Sequence, residues 1–209
     1  MDRSNGVRAR LDAGEVALGA GASTFAPEVV ETYGALDLDF VWLDFEHDGP
    51  SPYDARLLND LSRAAEVSGT ELLVRLPGHD GHMVRKALDA GARNLLVPRV
   101  ETAAEVREAA AAARFRHDDG PGERGIATAR VTGWGTDYAD YIEGEDREVV
   151  LGAMLESATA VENLDELLAV SGLDFLFAGP GDTSASAVAP TAPDRPAGRY
   201  ALAARGCVC

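Results

Sequence analysis

The sequence predicts an α/β protein of the parallel-barrel class, a (β/α)8 TIM barrel represented by about six of its strand–helix units. Three observations predict it. Short apolar runs alternate with stretches of helical period along residues 15–180, the pattern of a parallel sheet with right-handed crossovers. The runs are nearly continuous in apolar residues, as strands covered on both faces are. Polar and charged residues sit at the ends of four of them, in LDFEH (43–47), VRLP (74–77), MLE (154–156) and FAGPGD (177–182). Those are the positions that converge on one face of a barrel. A doubly wound open sheet is the rival, but no G-x-G-x-x-G follows the first strand.

The elements follow in order. EVALGAGAS (15–23) reads as a strand, and PEVVETYGA (27–35) as a helix opened by Pro27 at its first position. DFVWLDFEH (39–47) is a buried strand. SPYDARLLNDLSRAAEVSG (51–69) opens on a Ser cap, repeats Leu57, Leu58, Leu61, Ala64 and Ala65 at helical spacing, and stops at Gly69. ELLVRLP (71–77) is a strand, GHMVRKALDAG (81–91) a helix closed by Gly91, RNLLVPRV (93–100) a strand and TAAEVREAAAAARF (102–115) a helix. A polar, Gly-rich stretch from His117 to about Thr132 reads as loop. VVLGAMLE (149–156), AVENLDELLAVSG (160–172) and DFLFAGP (174–180) close the pattern as strand, helix and strand.

Composition changes near Asp182. Residues 183–209 hold one acid, Asp194, and three arginines, while residues 1–182 hold 34 acids and 16 bases. The expectation is that a frameshift or premature end has replaced the last quarter of a longer barrel. Residues 1–182 would then be a partial barrel domain, and 183–209 a disordered low-complexity tail without strand or helix.

The net charge of −16 argues against nucleic acid, whose phosphates it repels. Lys86 is the only lysine beside eighteen arginines, and this acid-rich, lysine-poor balance is expected of a halophilic cytoplasm. No apolar run reaches 18 residues, and MDRSNGVRARLDAG has no apolar centre, so neither a membrane span nor a secretory signal is expected and the cytoplasm is the default. Cys207 and Cys209 are too few for a zinc site and badly spaced for a disulfide framework.

Five side chains are candidates for chemistry. His47 ends a buried strand after Asp44 and Glu46, and a carboxylate on one ring nitrogen would raise the basicity of the other. Asp44 can serve only if the strand curls at its end, because it lies three positions before His47 and so on the opposite pleat face. Arg75 lies inside an apolar run and needs a buried partner or a functional role. Glu156 and Asp182 end consecutive strands, and two carboxylates with water and substrate oxygens suit Mg²⁺, Mn²⁺ or Co²⁺. Gly179 and Gly181 let backbone N–H groups approach an anion. His79, His82 and His117 read as solvated, and Trp134 as packing. Lys86 lies on the polar side of a helix rather than at a strand end, so a lysine-imine mechanism is not expected.

Between about Gly19 and Asp182 the chain resembles the HpcH/HpaI aldolases, metal-dependent hydroxy-oxo-acid aldolases that include 4-hydroxy-2-oxoheptanedioate and 2-dehydro-3-deoxyglucarate aldolases. The landmarks are LDFEH-x-x-P, VRLP, ALDAGARNLLVPRVET, Arg124–Gly125, Arg130 with Trp134, MLES and FAGPGD-x-S-x-S. The resemblance implies a barrel of the phosphoenolpyruvate/pyruvate type and reversible cleavage of a 4-hydroxy-2-oxo acid to pyruvate and an aldehyde. It implies His47 as base oriented by Asp44, Arg75 on the oxo or enolate oxygen, Glu156 and Asp182 as metal ligands, and the Gly181 and Asp182 amides on the pyruvate carboxylate. It also implies a cytoplasmic homo-oligomer, typically a hexamer. Three departures stand out: Met154 where several members have Gln, Thr183 where the motif has Leu, and six strands where the barrel has eight. The alternatives are a citrate-lyase β-subunit-like lyase acting on an acyl-CoA, for which no basic patch is seen, and an inactive remnant.

Overall fold

The structure, a computed structural model, describes residues 4–51, 54–136, 138–178 and the backbone of 199–202. Strand β1 is Ala17–Ala22, β2 Phe40–Asp44, β3 Glu71–Arg75 and β4 Asn94–Val97. A two-residue hairpin joins β5 (Arg116–His117) to β6 (Gly120–Pro121). Strands β7 (Val150–Leu155), β8 (Phe175–Ala178) and β9 (Arg199–Leu202) follow. The helices are α1 (Gly6–Asp12), α2 (Pro27–Gly34), α3 (Ala55–Ser68), α4 (Gly81–Ala90), α5 (Ala103–Ala113), α6 (Tyr138–Glu148), α7 (Ala158–Glu162) and α8 (Leu164–Leu168).

The main sheet runs β8-β7-β4-β3-β2-β1-β9. Its first six members are parallel and stand in chain order. A doubly wound sheet reverses direction at a switch point; this one never does, so it is the arc of a barrel. Among the described residues β8 pairs only with β7 and β9 only with β1, and the arc is open.

Strand parity builds two cores. One face of each strand, with Val41, Leu43, Leu72, Val74, Leu95 and Leu151, packs beneath the helices. The other fills the lumen with Phe40, Trp42, Leu73, Leu96, Met154, Phe175 and Phe177. Helix α1 closes the lower end of that lumen through Val7 and Leu11. Its N-cap Asn5 is 1% exposed, accepts from the Val7 and Arg8 amides, and donates to Asn94 Oδ1 at 2.8 Å and to the Glu148 carbonyl at 2.7 Å.

Several boundaries differ from expectation, each for a local reason. Helix α3 starts three residues late because Asp54, not Ser51, caps it, accepting from the Leu57 amide. The helix expected at 160–172 is two short helices broken at Asn163 (φ −92°, ψ 11°). Helix α1 shows only two buried apolar residues and α6 only Tyr141 and Glu145, too little period to read from sequence. Within the expected tail, Arg199–Leu202 is a strand antiparallel to β1. An open edge offers a row of backbone donors and acceptors, and pairing on it requires no side-chain pattern. Among the described residues no helix is long and apolar enough to cross a membrane.

Candidate active site

Arg75 is the last residue of β3, and its register partner on β2 is Asp44. Both side chains point into the lumen, on the same parity as Leu73 and Trp42 below them. Arg75 Nε donates to Asp44 Oδ1 at 2.9 Å and its Nη2 to Asp44 Oδ2, the bidentate geometry a planar guanidinium favours. The remaining nitrogen, Nη1, lies 3.3 Å from Glu46 Oε2, 4.0 Å from Glu156 Oε1 and 3.6 Å from Met154 Sδ. One buried cation thus stands at the upper end of the lumen among three carboxylates.

The surroundings set the charge states. Burial opposes ionisation of Asp44, but the hydrogen bonds and charge of Arg75, with the His47 and Glu46 amides, outweigh it and hold its pKa below the ordinary value. Burial raises the pKa of Glu46; Arg75 opposes the shift, while Glu156 and Asp44 add to it. Burial works against the Arg75 charge too, yet Asp44, Glu46 and Glu156 raise its pKa further. Glu156 follows β7 and accepts the Arg99 amide at 2.7 Å through Oε2, a contact made with Arg99 in the left-handed region (φ 56°).

His47 differs from expectation. Asp44 accepts the backbone N–H of His47 at 3.2 Å and of Glu46 at 3.0 Å, so it shapes the turn after β2 and does not orient the imidazole. Both Asp44 oxygens are engaged by the guanidinium, and the turn carries the ring outward. The ring is 65% exposed, with Nε2 3.6 Å from Glu46 Oε2. Glu46 is therefore the carboxylate beside the His47 ring. It carried a signal in the sequence: it shares the parity of Asp44 and immediately precedes His47.

Gly181 and Asp182 lie outside the described residues, as do Gly179 and Pro180. Among the described residues no group of three or more His, Cys, Asp or Glu is arranged around a metal position. Two carboxylates do fit a hard cation. Glu46 Oε2 is buried and makes no hydrogen bond among the described residues, and Glu156 is 9% exposed with Oε1 directed at the same guanidinium. An all-oxygen donor set of this kind suits Mg²⁺ or Mn²⁺.

The remaining sequence landmarks fall elsewhere. His79 is partly exposed, 4.0 Å from Glu105, and His82 is exposed and bonded to Arg85 at 2.9 Å. His117 is not solvated: the β5–β6 hairpin leaves its side chain 10% exposed, 3.7 Å from Asp118. Trp134 is not packed: it is 69% exposed at φ 58°, between Gly133 and Gly135, which are also left-handed. Arg130 clamps the same segment to α3 through Glu66 and Asn59. Arg124 is structural, stacked over Phe115 and Tyr141 with its Nη2 donating to the tyrosine oxygen. Lys86 is exposed on α4.

Comparison with known proteins bears on the same residues. The chain is 35% identical over 182 residues to the 4-hydroxy-2-oxovalerate aldolase of Novosphingobium aromaticivorans, covering 87% of this chain and 67% of that protein. It is 34% identical over 184 residues to the hydroxypyruvate/pyruvate aldolase of Roseobacter denitrificans, covering 87% and 69%. A crystal structure of an HpcH/HpaI aldolase/citrate lyase family protein from Burkholderia cenocepacia superposes with a TM-score of 0.79 at 32% identity, over 88% of this chain and 72% of that one. The family model for HpcH/HpaI aldolase/citrate lyase matches residues 22–205, past Asp182 and into the segment of altered composition. With the lumen-facing Asp44–Arg75 pair and Glu156 at the strand ends of an ordered parallel arc, these matches place the chain in the HpcH/HpaI aldolase/citrate lyase family.

Proposed function

We propose that this chain carries the site of a divalent-metal-dependent aldolase that reversibly cleaves a 4-hydroxy-2-oxo acid to pyruvate and an aldehyde. The observation that carries this is Arg75. It is a buried guanidinium at the upper end of the lumen, with two nitrogens fixed by Asp44 and the third facing Glu46 and Glu156. A preorganised cation in a site of low water content stabilises charge that develops on a substrate oxygen. The relatives named as 4-hydroxy-2-oxovalerate and hydroxypyruvate/pyruvate aldolases support the substrate class.

In the cleavage direction the C4 hydroxyl loses its proton and the C3–C4 bond breaks. The aldehyde departs, and the bonding pair moves into C2–C3 with negative charge on the C2 oxygen. Arg75 Nη1 receives that oxygen. His47, at the rim beside Glu46, takes the hydroxyl proton and returns it to C3 of the enolate, giving pyruvate. Glu156 and Asp182, with Glu46 close by, would hold Mg²⁺, Mn²⁺ or Co²⁺, which supplies Lewis-acid polarisation of the 2-oxo group. The Gly181 and Asp182 amides would receive the substrate carboxylate. A cytoplasmic homo-oligomer is part of the same proposal.

Exchange of pyruvate methyl protons in D2O, followed by proton NMR, tests the half-reaction without knowledge of the aldehyde. Exchange that requires Mn²⁺, stops with a chelator and falls by about a hundredfold in Arg75→Lys is the expected result. Exchange that ignores both the chelator and the substitution would sink the proposal.

A further inference from the structure

Beneath Arg75 the lumen is aromatic. The guanidinium carbon lies 5.4 Å from the centroid of the Trp42 ring, within the range of a cation–π contact, for which Trp is the strongest partner. Trp42 is 8% exposed and stands edge-on to Phe177, centroids 5.1 Å apart at 64°. Met154 Sδ closes a further side, 3.6 Å from Nη1. Strand β2 therefore supplies two groups to one cation: the Trp42 ring below and, two residues on and on the same face, the Asp44 carboxylate beside it.

We propose that Trp42 is a positioning residue for Arg75, its indole face fixing the plane in which the guanidinium presents Nη1 to the mouth of the site. This rests on Arg75 holding the oxo oxygen, as proposed above. The bidentate bond to Asp44 ties two nitrogens to one carboxylate, but the pair can still swing together about the Asp44 side-chain torsions. A flat ring under the guanidinium removes that freedom. The apolar floor also keeps water from the lower side of the cation, which strengthens its action on a developing oxyanion. An aliphatic side chain at position 42 would fill space without a face that attracts the cation.

The test joins a spectroscopic signature to a kinetic one. In protein labelled with ¹⁵N-arginine, the Nε–H signal of Arg75 is identified by its loss in Arg75→Lys. In the wild type it is expected to be displaced from the free-arginine position by the indole ring current. Trp42→Met should return it towards that position, while Trp42→Phe keeps part of the displacement. In the methyl-exchange assay Trp42→Met should lose on the order of tenfold to a hundredfold in kcat, with a smaller change in KM for pyruvate, and Trp42→Phe should recover most of it. An undisplaced wild-type signal overturns the proposal without any variant. So does a Trp42→Met protein with unchanged signal or unchanged kcat, or a Trp42→Phe protein no better than Trp42→Met. A displaced signal that responds to the variants, in a protein showing no exchange with Mn²⁺, upholds the positioning role and refutes the aldolase proposal instead.

Discussion

Arg75 and Asp44 are the most interdependent residues of the chain. Each is largely buried and each neutralises the other. Asp44→Asn would leave the guanidinium beside a neutral amide, and breaking a buried pair from one side costs about 3–5 kcal/mol. The expected outcome is a lower urea midpoint together with loss of methyl exchange. Arg75→Lys keeps the charge but not the fork; exchange should fall by about a hundredfold while the melting midpoint drops less than in Asp44→Asn. Arg75 was legible in the sequence as a charge inside an apolar run, and Asp44 as an acid at a strand end. Their pairing was not, because it depends on the register of β2 against β3. The Asp44–His47 relation expected from proximity in sequence gave way to the stronger bidentate partner across the sheet.

The elements are fixed by local signals that the sequence displays well. Thr102 and Glu105 form a reciprocal capping box at the start of α5: Glu105 Oε2 accepts the Glu101 and Thr102 amides, and Thr102 Oγ1 accepts the Glu105 amide. Burial of Glu105 opposes ionisation, but these amide bonds prevail and hold its pKa below the ordinary value. A depressed carboxyl pKa stabilises the fold above the unfolded-state pKa, and the contribution is lost as pH falls through the folded value. Glu105→Gln removes the titration but keeps an acceptor. The gap in melting midpoint between wild type and Glu105→Gln should therefore be largest near neutrality and close in the acid range below the ordinary glutamate pKa. Small residues do comparable work in the strands. Gly152 faces its register partner Phe175, and a Cβ there would stand 2.1 Å from the ring. Gly19 stands in the same relation to Phe40, at 2.4 Å. Gly152→Ala should cost about 1–3 kcal/mol by overpacking, read as a lower denaturant midpoint at unchanged slope.

At the scale of the whole molecule, charge and winding dominate. A net charge of −16 over 209 residues repels itself across the surface, and added salt screens that repulsion. The melting midpoint is expected to rise steeply between dilute buffer and molar KCl; a midpoint independent of KCl would remove the case for a high-salt protein. The sequence by itself determined the class of fold, since apolar runs alternating with helical periods admit a parallel sheet and little else. It determined most of the strands and helices, and it marked Arg75, Asp44 and Glu156 as polar groups at strand ends. Tertiary structure decided what period and spacing do not encode. It set the unbroken strand order that separates a barrel arc from a doubly wound sheet. It docked α1 and α6, whose buried faces are too small to see in sequence. It brought Glu46 rather than Asp44 beside the His47 ring, and laid Trp42 under Arg75. The physical reason is that local sequence states which face of an element a side chain takes, whereas the element it packs against is set by long-range packing and, for Asp44, Trp42 and Arg75, by the register between β2 and β3.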